Sequence, residues 1–176
     1  VGFRYDLTPY LKFGPEQNNI AVRVNVEPHG SRWYPGAGIY RNVWLTKMDP
    51  IHVAHWGTYV TTPDVSKEKA SVRLRTEVEN TSGEAADVVL TSVIMDPHSN
   101  AVANAETTRR LDGGAMHAFD QSFVVTHPQR WSPDTPDLYQ VVSTVKAGGK
   151  TVDTYTTPLG IRSVEFTIDQ GLLLNN

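Results

Sequence analysis

From Ile51 to Thr157 the sequence repeats one signature: short runs in which apolar residues alternate with polar ones, each closed by a turn signal. Successive side chains of an extended chain point to opposite faces, so each run describes a strand with one face on a core. Ile51, Val53, Tyr59 and Val60 lie in the first run. In the second, Val72, Leu74 and Val78 alternate with Arg73, Arg75 and Glu77. In the third, Val88, Leu90 and Ile94 oppose Val89, Val93 and Met95, which predicts burial on both faces. Asp96 to Asn100 is a turn, and Ala101 to Leu111 is weakly patterned. Asp112-Gly113-Gly114 turns the chain into a strand carrying Phe119, Phe123 and Val125. Leu138 to Val145 and Thr151 to Thr157 form a hairpin around Ala147-Gly148-Gly149-Lys150. About seven short strands at this spacing predict an all-β fold, an antiparallel sandwich of immunoglobulin-like type. No segment carries an apolar stripe of helical period, so almost no helix is expected. The cysteine–tryptophan–cysteine hallmark of true immunoglobulin domains is missing, and the expectation is limited to the architecture.

Composition narrows the function. The chain has 176 residues, 39% hydrophobic and 20% charged, which is globular rather than disordered. A net charge of -3 gives no electrostatic footprint for nucleic acid or an anionic membrane. With no cysteine, a disulfide framework, thiol catalysis and cysteine-ligated zinc are excluded. That absence leaves the compartment open; a periplasmic or secreted bacterial setting is favoured over the cytoplasm. No stretch reaches the roughly 18 apolar residues of a membrane span. The chain begins at Val1 and ends abruptly on Leu172-Leu173-Leu174-Asn175-Asn176, and it is read as a fragment of a longer protein.

Upstream of the sandwich, Tyr5-Asp6-Leu7-Thr8-Pro9-Tyr10-Leu11 leads to a Gly14-Pro15 turn. Ile20, Val22, Val24 and Val26 then alternate with Ala21, Arg23 and Asn25, which predicts a half-buried strand. Ser31 to Leu45 starts as a loop, broken by Pro35, Gly36 and Gly38, and ends as a strand with Val43 and Leu45 on one face. Arg32, Trp33 and Tyr34 precede the turn, and so much aromatic and cationic surface calls for something packed on it.

These segments, in this order, resemble the family 2 glycoside hydrolases, the beta-galactosidase, beta-glucuronidase and beta-mannosidase group, with the closest look to bacterial beta-galactosidases. The resemblance rests on Ser31-Arg32-Trp33-Tyr34 and Gly38-Ile39-Tyr40-Arg41-Asn42-Val43-Trp44-Leu45, similar to the family's sugar-binding-domain signature. Ile51-His52-Val53-Ala54-His55-Trp56-Gly57-Thr58 resembles the first strand of its immunoglobulin-like domain. Arg130 to Tyr139 resembles its Trp-Ser-Pro-x-x-Pro-x-Leu-Tyr segment. Gly160 to Phe166 resembles the Gly-x-Arg strand, and Asp169 to Asn175 the start of the hairpin before the barrel.

The resemblance implies three parts. Residues 1–48 would be the C-terminal part of a jelly-roll sugar-binding domain, 49–161 the sandwich, and 162–176 the lead-in strand to a (β/α)8 barrel that is not in this chain. The strands before Met48 would then lie against the sandwich, stay disordered, or pair edges with a neighbouring chain as a homo-oligomer. The parent would hydrolyse terminal beta-linked galactosides with retention, and the fragment alone, without the barrel's two catalytic glutamates, would be inactive. Its partners would be a galactoside substrate and its own barrel, with no nucleic acid and no membrane. A parent beta-glucuronidase or beta-mannosidase, or a stand-alone carbohydrate-binding or adhesion sandwich, are the alternatives.

Few residues offer chemistry of their own. Glu77 and Glu79 share the polar face of a predicted strand, and Asp134 and Asp137 flank Pro136 in a turn; neither pair needs a catalytic reading. His52 and His55 are expected on opposite strand faces, and His29, His98, His117 and His127 are dispersed. No catalytic residue, metal site or cofactor is therefore expected. Asn80-Thr81-Ser82 matches a glycosylation sequon but reads as a strand-end turn. The candidate substrate-binding residues are Arg32, Trp33 and Tyr34. The resemblance brings their loop near the barrel mouth, where they would either stack on and hydrogen-bond a galactose or join the jelly roll to the barrel. Arg32 stands near the place where some beta-galactosidases carry an acid that helps hold sodium, which argues against a sodium site. Trp56 and Trp131 are expected in the core, and Trp44 is expected to face the rest of the jelly roll.

Overall fold

The computed structural model describes residues 3–25, 36 and 38–175. Two compact units divide at Leu45/Thr46.

The first unit is Val1–Leu45. Its one regular element among the described residues is a 3-10 turn, Thr8–Tyr10, with Pro9 inside it. The Asp6 carboxylate accepts from the Thr8 amide at 2.9 Å and starts that turn. Lys12 and Asn18 exchange two bonds of 2.8 Å, with the Asn18 amide taking the part of a paired backbone. The strand expected at Ile20–Val26 does not form over residues 20–25, nor does the one ending on Val43 and Leu45. The alternation is present, but among the described residues no strand pairs with it. Ile20, Val22 and Val24 are at least half exposed, and Val43, Trp44 and Leu45 are exposed with them. An extended segment becomes a strand only when a neighbour takes up its N–H and C=O groups.

The second unit is Thr46–Asn176, and it holds the sandwich. Seven strands build it: β1 (Ile51–Val65), β2 (Lys69–Asn80), β3 (Ala86–Met95), β4 (Ala101–Leu111), β5 (Met116–Thr126), β6 (Tyr139–Ala147) and β7 (Lys150–Leu159). One sheet has the order β1-β2-β5 and the other β4-β3-β6-β7, with every pairing antiparallel. The fourth strand lies beside the third, as the C′ strand does in variable-type immunoglobulin domains. The weak pattern of Ala101–Leu111 conceals a full strand because β4 is an edge, with most of its side chains in water. A short hairpin follows, β8 (Val164–Thr167) with β9 (Gly171–Leu174).

The core fills from both sheets in two apolar clusters. Val72, Leu74, Phe123 and Val125 from one sheet meet Ile94, Tyr139 and Val141 from the other. Towards the opposite end, Ile51, Val53, Val78 and Phe119 meet Val88, Leu90, Leu111 and Val145. Buried polar residues interrupt the apolar alternation. Ser92 and Ser143 face each other in register on β3 and β6, their hydroxyls 3.0 Å apart. Gln121 donates from Nε2 to the Leu90 carbonyl at 3.1 Å, tying one sheet to the other. On β3 only one face is fully buried; Val89, Val93 and Met95 are half-buried rather than enclosed as the sequence pattern implies. Within this unit no second layer is described over that side, and neighbouring side chains on the sheet shield them only partly.

Tyr139 closes one corner. Its hydroxyl accepts from the Gln129 amide at 2.9 Å, ten residues upstream at the entrance to β6, a latch of the tyrosine-corner kind. Burial pushes the phenol up from its ordinary value, the Gln129 amide opposes this, and the carboxylates of Asp96 and Asp137 add to the rise. The folded state therefore holds the phenol proton more tightly than the unfolded chain. This contribution is whole below the ordinary tyrosine value of about 10 and is lost as pH rises beyond it. Tyr139→Phe is expected to cost about 1–2 kcal/mol near neutral pH, by leaving the Gln129 N–H without its acceptor. The gap to the parent protein should narrow in alkali, read from urea midpoints across pH; no loss near neutral pH would refute the latch, and a gap constant with pH would refute the raised phenol.

Candidate functional site

Arg32, Trp33 and Tyr34, the expected sugar platform, lie outside the described residues, as does His29. The segment that follows them has the same character: Tyr40 is exposed, with the Arg41 guanidinium 5.6 Å from its ring centre.

Glu77 and Glu79 are half-buried groups, each with a charged or titratable neighbour. Glu77 lies 4.0 Å from Arg75, and Glu79 lies 3.7 Å from His52 Nε2. His52 is buried, and its Nδ1 is 2.8 Å from the Asp49 carbonyl, so the ring pins the start of β1. Asp134 and Asp137 sit exposed in a turn held by Ser132 and Thr135, whose hydroxyls are 2.8 Å apart. His52 is buried and His55 exposed, but not by alternation: Ile51 to Ala54 are all buried, His55 and Trp56 are both exposed, and the register slips after Val53. Among the described residues no three His, Cys, Asp or Glu side chains gather where a metal could be held.

Asn80 is fully buried, which removes the sequon as a modification site. Its Nδ2 donates to the carbonyls of Glu84 at 2.8 Å and Asp112 at 3.2 Å. Its Oδ1 accepts from the Ser82 hydroxyl at 2.6 Å and the Ser82 amide at 3.0 Å. The side chain is the knot between the end of β2 and the β4–β5 turn.

Trp56 corrects the sequence reading. It is 83% exposed, not core, and its φ is +56°. The register of β1 against β2 slips between Val53 and Thr58, and Trp56 rides on that bulge with His55 stacked on it at 4.9 Å. Gly57 locks the bulge: a Cβ there would meet the Ala54 carbonyl oxygen at 2.7 Å and that of Glu77 at 2.9 Å. A glycine inside an alternating run is the sequence signal of such a bulge.

The other end of the sandwich carries a denser arrangement. Trp131 is half-buried, with the Arg162 guanidinium 4.9 Å from its ring centre. Gly160 lets the two approach, since a Cβ there would lie 2.9 Å from Arg162 Nη1 and 3.3 Å from Trp131 Cγ. Asn175, in left-handed backbone at φ +59°, donates from Nδ2 to the Trp131 carbonyl at 2.9 Å. Its Oδ1 accepts from the Ser163 amide at 3.2 Å, and its carbonyl from Arg130 at 3.3 Å. The hairpin is thereby clamped to the sandwich. Along it, Val164, Phe166, Ile168 and Leu172 are all at least half exposed. Such an arrangement suits positioning and packing; it presents no nucleophile with a base. Asn175 did not stand out in the sequence, because its partners lie 12 to 45 residues away.

Residues 51–162 match the family profile described as Glycosyl hydrolases family 2. A beta-galactosidase of Bacteroides ovatus, BoGH2A, is 44% identical over 99% of this chain and 21% of its own length. A beta-glucuronidase of Formosa agariphila is 34% identical over 99% of this chain and 20% of its own. Among solved structures, a family 2 glycosyl hydrolase from Bacteroides cellulosilyticus superposes with a TM-score of 0.70 at 34% identity, covering 73% of this chain and 18% of that one. The chain thus spans about a fifth of the length of these curated relatives.

Proposed function

The chain belongs to the glycosyl hydrolases of family 2, and on that premise we propose that it is the non-catalytic middle portion of a beta-galactosidase. The observation that carries this reading is the 44% identity, over nearly the whole chain, to a beta-galactosidase. The parent would cleave terminal beta-linked galactosides with retention. That reaction needs one carboxyl group as nucleophile and one as acid/base, about 5–5.5 Å apart. Both would come from a barrel following residue 176. Residues 1–48 would complete a jelly roll, which agrees with the exposed Phe13, Ile20, Val22 and Trp44. The apolar flank of the β8–β9 hairpin would seat against the barrel. Held by Asn175 and the Trp131–Arg162 stack, the sandwich would fix the jelly-roll loop bearing Arg32, Trp33 and Tyr34 at the barrel mouth, a contribution of orientation rather than of bond chemistry. We place the parent in the periplasm or outside a bacterial cell.

A glucuronidase parent is the second reading, favoured by the Formosa relative. The parent protein, assayed on nitrophenyl beta-galactoside and nitrophenyl beta-glucuronide, decides between them. Turnover of the galactoside at least tenfold faster than of the glucuronide is expected, with the 176-residue chain alone at the buffer blank. Glucuronide preference would sink the galactosidase reading, and turnover by the chain alone would sink the non-catalytic one.

A further inference from the structure

The outer face of the three-stranded sheet carries a set of side chains with no part in the reading above. Register sets Tyr59, Arg75 and Asp120 in one row across β1, β2 and β5, and Thr61, Arg73 and Ser122 in the next. Neighbouring strands are about 4.8 Å apart and successive rows on one face about 7 Å, so the six side chains tile an area matched to one or two pyranose rings. Together they line a shallow, open depression.

The chemistry of the two rows differs. Arg75 is engaged, with Nε 4.0 Å from Glu77 and Nη1 3.7 Å from Asp120. Arg73 is exposed between two neutral hydroxyls, and among the described residues it forms no ion pair. Asp64 lies beyond it, in register with Ser71. Tyr59, 68% exposed, offers a flat ring in register with Arg75, one row along the same face from Arg73. An aromatic face suits the C–H side of a sugar ring, hydroxyls and a carboxylate suit its hydroxyls, and an uncommitted guanidinium suits an anionic substituent.

We propose that this face is a non-catalytic binding site for an acidic oligosaccharide, with a sugar ring on Tyr59 and its carboxylate or sulfate on Arg73. Asp120, held by Arg75, accepts from sugar hydroxyls, and Thr61 and Ser122 complete the contacts. The choice of a glycan rests on the glycosidase reading, but the two fail separately: turnover by the parent tests that reading, and binding by this chain tests the site.

The test titrates the chain with tetragalacturonate, a sulfated disaccharide and neutral galactotetraose, following heat and amide shifts. At least one acidic saccharide should bind, weakening as salt is raised, with the neutral one about tenfold weaker or more. Tyr59→Ala and Arg73→Gln should each weaken binding about tenfold while the melting midpoint stays within a few degrees. Carboxylate and sulfate probes tell which anion Arg73 takes. No binding of either acidic saccharide would overturn the proposal. So would equal binding of the neutral one, or binding indifferent to both variants.

Discussion

Phe119→Ala is expected to lower folding stability by about 3–5 kcal/mol, whereas Trp56→Ala should change it by less than about 0.5 kcal/mol. Phe119 is 1% exposed and packs among Val78, Leu90, Leu111 and Val145, drawn from both sheets. Removing the ring forfeits its transfer from water and leaves a cavity that two hydrogen-bonded sheets cannot close. Trp56 is the larger side chain and is 83% exposed, so its removal takes almost nothing out of the core. Trp56→Gly should raise stability by about 1 kcal/mol, because its φ of +56° is a conformation in which Cβ crowds the backbone. Urea midpoints of the three variants measure the contrast. Equal losses for Phe119→Ala and Trp56→Ala would mean that Trp56 is buried and the bulge is wrong.

Asn80 gives the second large effect. Asn80→Ala is expected to cost about 2–4 kcal/mol, since the carbonyls of Glu84 and Asp112 and the Ser82 amide lose partners in a buried corner. Asn80→Asp keeps the shape and reverses the chemistry. A carboxylate would face the carbonyl oxygens of Glu84, Leu111 and Asp112, which need a donor, and only its protonated form can supply one. The folded-state pKa of the new group would thus lie above its unfolded value. Stability relative to the parent protein is regained below the ordinary aspartate range and lost as pH rises through the raised folded pKa. Thermal melts from acid to neutral pH check this: the deficit of Asn80→Asp should widen on going to neutral pH. A deficit independent of pH would show that the amide is not the donor described.

The two sites show where sequence reasoning reaches and where it stops. For β2, alternation of Val72, Leu74 and Val78 with Arg73, Arg75 and Glu77 was sufficient, because both inward and outward residues follow from one two-residue period. For Ser92 it was not. A serine in an apolar series reads as a flaw until Ser143 is found opposite it on another strand. Asn80 carried a misleading motif, since a three-residue sequon says nothing of the three carbonyls that surround its amide. Trp56 was misplaced because hydrophobicity states what a side chain would gain by burial, while the bulge locked by Gly57 decides which way it points. The expected platform of Arg32, Trp33 and Tyr34 falls outside the described residues and rests on resemblance alone.

What belonged to the sequence by itself was the all-β class, an approximate count of the sandwich strands with every one but β4 clearly patterned, their turns, and the family resemblance. Each of these is written in local periods and short motifs. What only the tertiary structure decided was the side of the sandwich taken by β4, the polar ties through its core, the exposure of Trp56 and, among the described residues, the lack of a strand over Ile20 to Asn25. The physical reason is common to all four. A period of two states which face of a strand is apolar, but pairing, burial and satisfaction of polar groups are relations between segments far apart in the chain, and no local pattern contains them.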